Sequence, residues 1–170
     1  MRNILEHFHQ KQHGFTLIEI IIAVAISGII ISGITASVIQ VFDGNTRSSS
    51  HMETIQDTEN AGFWLNQDIL TTQSVSIGET NGFPLKLSRI DWNGVIHQVT
   101  YSLSGTKLLR TVISDGVNIS QTVVADNVNT SAAATNCTFA DDVLTLKITS
   151  EVSSASETRI YEISLRVDQF

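Results

Sequence analysis

The chain has 170 residues, of which 42% are hydrophobic and 16% charged, and its formal net charge is −7 at pH 7. So many apolar residues argue against a disordered chain, and the acidic balance argues against a dedicated nucleic-acid-binding surface. A single cysteine, Cys137, excludes an intrachain disulfide and a multi-cysteine zinc site.

The apolar residues are concentrated between Ile20 and Phe42, where 23 consecutive residues carry no charge. A helix of that length, at about 1.5 Å per residue, can cross the hydrocarbon core of a bilayer. Arg2 and Lys11 precede the segment, whereas acidic residues outnumber basic ones after it. The positive-inside bias therefore predicts a single-pass membrane helix with a cytoplasmic N-terminus and an extracytoplasmic C-terminal part.

Two common forms of processing fit such a segment. A secretory signal peptide would be cut behind it, for example after Ile34-Thr35-Ala36, with Ser37 as the new N-terminus. An uncleaved signal anchor would keep Met1. Neither form accounts for Glu19, a carboxylate at the start of the apolar segment. This carboxylate either snorkels to the membrane surface at the helix N-terminus or meets a cation of another chain when helices bundle.

A third form follows from the string Lys11-Gln12-His13-Gly14-Phe15-Thr16-Leu17-Ile18-Glu19. This string resembles the leader and cleavage site of type IV prepilins and type II secretion pseudopilins. The resemblance implies that a prepilin peptidase cuts between Gly14 and Phe15, and that Phe15 is then N-methylated. It also implies that Glu19 sets the register of assembly by pairing with the N-terminal ammonium of a neighbouring subunit. Glycine suits the cut because no side chain blocks approach to the backbone.

The same resemblance implies the partners. They are other pilin or pseudopilin subunits, the prepilin peptidase and methyltransferase, the membrane and an inner-membrane assembly platform. No nucleic-acid partner and no cofactor are predicted. Major pilins of the family often have a proline at the position that Ala36 occupies here, and this difference favours a minor subunit.

A second helical segment is predicted after the polar residues Asp43-Gly44-Asn45, where Gly44 is expected to interrupt the helix. Beyond them, apolar and small residues recur at spacings of three and four, which indicates an amphipathic helix that packs one face on a sheet. Phe63 and Trp64 widen this face, and Asp57 is expected to lie off it. The predicted face consists of Met52, Ile55, Thr58, Gly62, Leu65 and Ile69.

From residue 73 onward the apolar pattern changes to the period of two that is typical of strands. Val95–Leu103 and Lys107–Ile113 predict a hairpin with a short glycine-containing loop. A second pair, Val143–Thr149 and Arg159–Val167, is expected to be joined by a polar linker over Ser150–Thr158. In that pair Leu144, Leu146 and Ile148 would share a face opposite Tyr161, Ile163, Leu165 and Val167. Shorter candidates are Ser74–Ile77, Leu85–Ser88 and Ser120–Val124.

These elements predict an α+β fold in which a long N-terminal helix packs on an antiparallel β head, and this order is similar to that of pilins. The expected parts are a leader (1–14), a transmembrane and filament-core helix (15–42), an amphipathic helix half (43–72) and the β head (73–170). Four segments further resemble the J-type minor pseudopilins and W-type minor pilins. They are Trp64–Ile69, Val99–Leu103, Lys107–Thr111 and Val124–Val128.

Side chains that could carry catalysis or hold a metal are scattered along the sequence. His97 lies on a predicted strand, and Cys137 has no histidine at a suggestive spacing, so both are interpreted as structural. Asp141-Asp142 with Asn136 could ligate calcium, but a turn before the strand explains them better. The sequence therefore predicts a filament subunit that is not an enzyme. The alternative is a membrane-anchored or secreted extracytoplasmic binding domain unrelated to filaments.

Overall fold

The computed structural model describes residues 14–165. The chain divides after Gly44 into two compact units; residues 15–44 are termed the stem and residues 45–165 the head. The leader, apart from Gly14, lies outside the described residues. The elements are α1 (Leu17–Ile69), β1 (Ser74–Gly78), β2 (Gly82–Ile90), β3 (Ile96–Ser104), β4 (Lys107–Ser114), β5 (Val117–Ala125), β6 (Asn136–Ala140), β7 (Val143–Val152) and β8 (Ala155–Ser164).

Helix α1 continues without interruption through Asp43-Gly44-Asn45, so the predicted break at Gly44 is wrong. An isolated glycine costs a helix only about 1 kcal/mol relative to alanine, and the turns on both sides keep it helical. The helix also continues through Ala36, where a proline would have removed a backbone donor.

The first sheet has five antiparallel strands in the order β1-β2-β3-β4-β5. Strands β3 and β4 form the predicted hairpin, in which Tyr101 pairs with Arg110 and Ser104 with Lys107. The three short candidates correspond to β1, β2 and β5, and each strand is longer than predicted.

The second sheet has three antiparallel strands in the order β6-β7-β8. Leu144 pairs with Ile163 and Leu146 with Tyr161, so the face predicted for these residues of β7 and β8 is confirmed. Val167, the last residue of the predicted strand, lies outside the described residues. Together the two sheets and α1 confirm the predicted α+β fold with a long helix and a β head.

The polar linker predicted at Ser150–Thr158 is wrong. Strands β7 and β8 pair as far as Val152 and Ala155, and the turn between them places Ser153 at positive φ. Ser153, Ser154, Ser156 and Thr158 are exposed, as one face of an antiparallel sheet can be, whereas Ser150 is buried. The sequence pattern also did not predict β6, which is too short to show a clear alternation.

Both sheets contribute to one core that packs on the head part of α1. Leu65 and Ile69 are buried as predicted, whereas Met52 and Phe63 are exposed and Asp57 is buried. The buried face of α1 is therefore rotated from the predicted one, because hydrogen-bonded carboxylates take the place of apolar side chains. The apolar core consists of Ala61, Leu65, Ile69, Phe83, Leu85, Leu87, Tyr101, Leu108, Val124, Ala125, Val128, Cys137, Leu144, Leu146 and Ile148.

Gly62 allows Tyr161 of β8 to lie directly on α1. A Cβ at Gly62 would lie 2.2 Å from Cζ of Tyr161, and the Tyr161 hydroxyl donates to the Thr58 carbonyl oxygen at 2.9 Å.

We expect Gly62→Ala to lower the free energy of unfolding by about 1–3 kcal/mol because the ring must move. Gly44→Ala is the matched control, since no atom lies within 4 Å of its Cβ position and replacing a helical glycine should add about 0.5–1 kcal/mol.

Urea unfolding of the full chain in detergent, followed by circular dichroism, measures both variants. A gain in stability for Gly62→Ala as large as that for Gly44→Ala would contradict the close packing of Tyr161 on the helix.

Candidate functional site

Thr16 and Glu19 form a capping box at the N-terminus of α1. Glu19 Oε2 accepts hydrogen bonds from the Thr16 backbone N and from Thr16 Oγ1, both at 3.2 Å. In return, Thr16 Oγ1 accepts a hydrogen bond from the Glu19 backbone N at 3.4 Å. These reciprocal bonds satisfy backbone donors that a helix leaves unpaired at its start. The Thr-x-x-Glu spacing is a known signature of a helix start, so the sequence contained the signal although the prediction did not use it.

Gly14 and Phe15 directly precede the capping box. Gly14 is exposed and has no atom within 4 Å of its Cβ position, and the Phe15 side chain is 82% exposed. Glu19 is exposed as well. The three residues predicted as the processing and assembly site therefore lie together in one segment that is open to solvent, immediately before the apolar part of the helix.

The stem helix exposes its apolar side chains. Its most apolar stretch of 18 residues has a mean hydropathy of 2.6, and none of these residues is buried. Within residues 14–165, α1 is the one helix long and apolar enough to cross a membrane. Gly33 and Ser37 lie in an apolar groove between branched side chains, and small residues of this kind allow helices to approach closely in a bilayer.

In the head, Asp57 of α1 binds the connection that leads from the first sheet to the second. Its Oδ1 accepts a hydrogen bond from the Asp126 backbone N at 3.0 Å. Its Oδ2 accepts from the Asn127 backbone N at 3.1 Å and from Ser150 Oγ at 2.9 Å. The Asn127 side-chain amide donates to both Asp57 and Glu53. A buried carboxylate is tolerated here because each of its oxygens is hydrogen-bonded.

Asp68 forms a second buried cluster, one residue before the C-terminal end of α1. Arg110 donates to it through Nε at 2.7 Å and through a terminal nitrogen at 2.6 Å, and the Tyr101 hydroxyl donates at 2.5 Å. The Arg110 guanidinium stacks on Trp64 at 4.6 Å from the ring centroid. Its hydrogen bonds to Asp68 raise the pKa of Arg110, and burial raises the pKa of Tyr101. Bidentate pairing of this kind fixes geometry as well as charge.

All four segments that resemble minor subunits contribute residues to the clusters around these two carboxylates. Trp64–Ile69, Val99–Leu103 and Lys107–Thr111 supply the Asp68 cluster, and Val124–Val128 supplies partners of Asp57. Asp57 and Asp68 are 11 residues apart, which is about three helical turns, so both lie on the same face of α1. Sequence reasoning missed both residues because acidic side chains are normally exposed.

His97 is a hydrogen-bonded structural residue at the end of the first sheet. Its Nε2 lies 3.2 Å from Asp91 Oδ2 and its Nδ1 lies 3.2 Å from Ser114 Oγ. The bond donated by the Val95 backbone N, followed by the contact with His97, lowers the pKa of Asp91. In the part of the chain that the structure describes, no group of three or more His, Cys, Asp or Glu side chains is placed to hold a metal ion.

The remaining candidates also have structural roles. Cys137 is buried, and burial raises the pKa of its thiol to about 12, so the nucleophilic thiolate is disfavoured. Asp141 and Asp142 both have positive φ and form the turn between β6 and β7, which confirms the turn predicted for them. Asn136 donates its side-chain amide to the Ala132 carbonyl oxygen at 2.8 Å.

Comparison with known proteins places a recognised pattern on the N-terminal segment. Residues 9–35 match the family described as "Prokaryotic N-terminal methylation motif". No curated protein and no solved structure matches the chain significantly. The matched residues include Gly14, Phe15, the capping box and most of the stem helix, and they support the assignment of the chain to the type IV pilin and pseudopilin family.

Proposed function

We propose that the chain is a minor subunit of a type IV pilus or a type II secretion pseudopilus. The leader, residues 1–14, is removed by a prepilin peptidase between Gly14 and Phe15, and Phe15 is N-methylated. The stem then anchors the subunit in the cytoplasmic membrane, with the head outside the cytoplasm, until an inner-membrane assembly platform adds it to the filament.

The observation that carries this proposal is the match of residues 9–35 to the N-terminal methylation motif. The geometry agrees with it. Phe15 is exposed, and among the described residues nothing apart from its chain neighbours lies within 4 Å of the Gly14 Cβ position, which leaves the bond accessible to a peptidase. The uncovered apolar surface of the stem needs either lipid or other apolar helices around it, because unpaired apolar area is costly in water.

Glu19 is the proposed register residue. Cleavage would create an ammonium at Phe15, and the carboxylate of Glu19 on a neighbouring stem is its natural partner in a medium of low dielectric. A misaligned stack would leave one of the two charges buried and unpaired, which costs far more than a correct pair gains. Because Glu19 is already held by Thr16, its carboxylate is oriented at the helix terminus before any partner arrives.

Two observations favour a minor subunit over a major one. Ala36 stands where major pilins often have proline, and the helix is uninterrupted there. The four segments that resemble J-type pseudopilins and W-type pilins converge on the two carboxylates that bind α1 to the head.

The mass of the mature N-terminus tests the proposal directly. We expect a chain that begins with N-methylated Phe15 when it is produced together with a prepilin peptidase. Gly14→Val is the matched control and should retain Met1, since a β-branched side chain would obstruct the cut. A wild-type chain beginning at Ser37, or one that keeps Met1, would contradict the proposal and favour a secreted or anchored binding domain.

A further inference from the structure

Trp92 is the most exposed large apolar side chain of the described residues. Its side chain is 93% exposed and lies in the loop between β2 and β3. Ile90 and Ile96, which flank the loop, pair with each other across the two strands and are each 55% exposed. Tryptophan is normally at least partly covered in a folded protein. An exposed indole beside two exposed isoleucines therefore indicates a surface that another molecule covers.

The loop that carries Trp92 is held by a hydrogen-bond network centred on Asp91. Asp91 Oδ1 accepts hydrogen bonds from the backbone N of Asn93 and of Val95, both at 2.9 Å. The Asp91 backbone N donates to the Val95 carbonyl oxygen at 3.0 Å. His97, itself bonded to Ser114, holds Asp91 Oδ2. A loop fixed in this way presents its indole without an ordering cost on binding.

The loop follows residues that contact the chain just after the end of α1. Gln73, four residues after Ile69, accepts a hydrogen bond from the Ile90 backbone N at 2.9 Å and donates to the Ile90 carbonyl oxygen at 3.4 Å. Its backbone N donates to the Ser88 carbonyl oxygen at 3.0 Å. The Trp92 loop is therefore connected to the segment that follows the C-terminal end of α1.

We propose that Trp92, with Ile90 and Ile96, is the anchor by which this head docks on the head of another subunit of the same filament. The proposal rests on the proposed function above. Subunits of a helical filament meet through two different surfaces, one on each partner. Tryptophan is one of the side chains enriched at the energetic centre of protein interfaces.

Charge defines the partner further. The head has seven Lys and Arg residues against thirteen Asp and Glu residues over residues 45–165. Asp115, whose backbone N donates to the Ile96 carbonyl oxygen at 3.0 Å, is an exposed carboxylate beside the anchor. The complementary surface is therefore an apolar pocket bordered by lysine or arginine. The same acidic excess disfavours an anionic lipid surface, to which basic residues bind.

Photo-cross-linking in cells that assemble the filament tests this assignment. Trp92→p-benzoylphenylalanine should form an adduct with a second protein whose mature N-terminus carries the methylation motif. Ile160→p-benzoylphenylalanine, at an exposed position on β8, is the matched control and should not give that adduct.

Trp92→Ala should reduce the amount of the chain in purified filaments by about tenfold or more, and Trp92→Phe by less. Asp115→Lys should lower the adduct yield several-fold.

The outcomes separate the two proposals. An adduct with lipid, an adduct with a protein that lacks the motif, or the absence of any adduct would overturn the docking proposal. If Phe15 is methylated in the same cells, the proposed function is unaffected by that result. A wild-type chain that keeps Met1 would overturn both. Far-ultraviolet circular dichroism of each purified variant shows whether it is folded.

Discussion

Glu19→Gln is expected to keep the N-terminus of α1 capped and yet to prevent the chain from entering a filament. Glutamine can replace glutamate in a capping box, because its side-chain oxygen still accepts hydrogen bonds from the Thr16 backbone and hydroxyl. It carries no charge, however, and cannot pair with an ammonium at Phe15. The expected result is normal cleavage and a loss of at least about tenfold from sheared filaments, as one unpaired buried charge costs several kcal/mol.

Two further variants separate capping from charge. Glu19→Val removes both functions and should be lost from filaments to the same extent as Glu19→Gln. Thr16→Ala weakens the cap by about 0.5–2 kcal/mol but keeps the carboxylate, so it should enter filaments in larger amounts than either. Quantitative immunoblots of the sheared and membrane fractions give the ratios. If Glu19→Gln enters filaments as well as the wild type does, Glu19 is a helix cap and has no role in register.

Asp68→Ala is expected to lower the free energy of unfolding of the head by about 3–5 kcal/mol. The side chains of Asp68 and Arg110 are only 8% and 14% exposed. Removing the carboxylate leaves the guanidinium buried without a counter-ion and leaves the Tyr101 hydroxyl without its acceptor. Urea unfolding in detergent of the full chain carrying Trp92→Phe, followed by fluorescence, measures the change, since Trp64 is then the remaining tryptophan and stacks on Arg110.

The control for this prediction is Arg159→Ala. Arg159 is 43% exposed and pairs with Glu157 at 2.8 Å, and exposed pairs contribute at most about 1 kcal/mol. The double variant Asp68→Ala with Arg110→Leu should recover part of the loss, because it removes the uncompensated charge. A loss for Asp68→Ala no greater than that for Arg159→Ala would show that the cluster does not hold α1 to the sheet.

The strands were predictable from the sequence to the extent that burial alternates along them. In β7 and β8 the alternating Leu144, Leu146, Tyr161 and Ile163 fixed both the faces and the register, since a shift by one residue would have turned the apolar set to water. The ends of these strands were not predictable. They are rich in serine and threonine, and composition does not distinguish a polar strand end from a polar loop; Thr149 and Ser150 are even buried there.

The stem and its preceding residues were predicted from a local pattern, and the match of residues 9–35 to the N-terminal methylation motif supports that prediction. The packing of the head on α1 could not be predicted in the same way. Asp57 and Asp68 lie on the buried face because distant residues donate hydrogen bonds to them. A prediction that treats every carboxylate as exposed therefore places the buried face of α1 at the wrong angle around the helix axis.

The acidic face of α1 also limits how deeply the helix can enter a bilayer. The helix runs without interruption from Leu17 to Ile69, so charged side chains, and not a break in the helix, mark the end of its apolar part. Submerging Asp57 or Asp68 would separate each carboxylate from its donors in the head and cost about 2.5–3.5 kcal/mol for the charge at the membrane centre. The hydrogen bonds that hold these two carboxylates within the head would therefore oppose the entry of this part of α1 into a membrane.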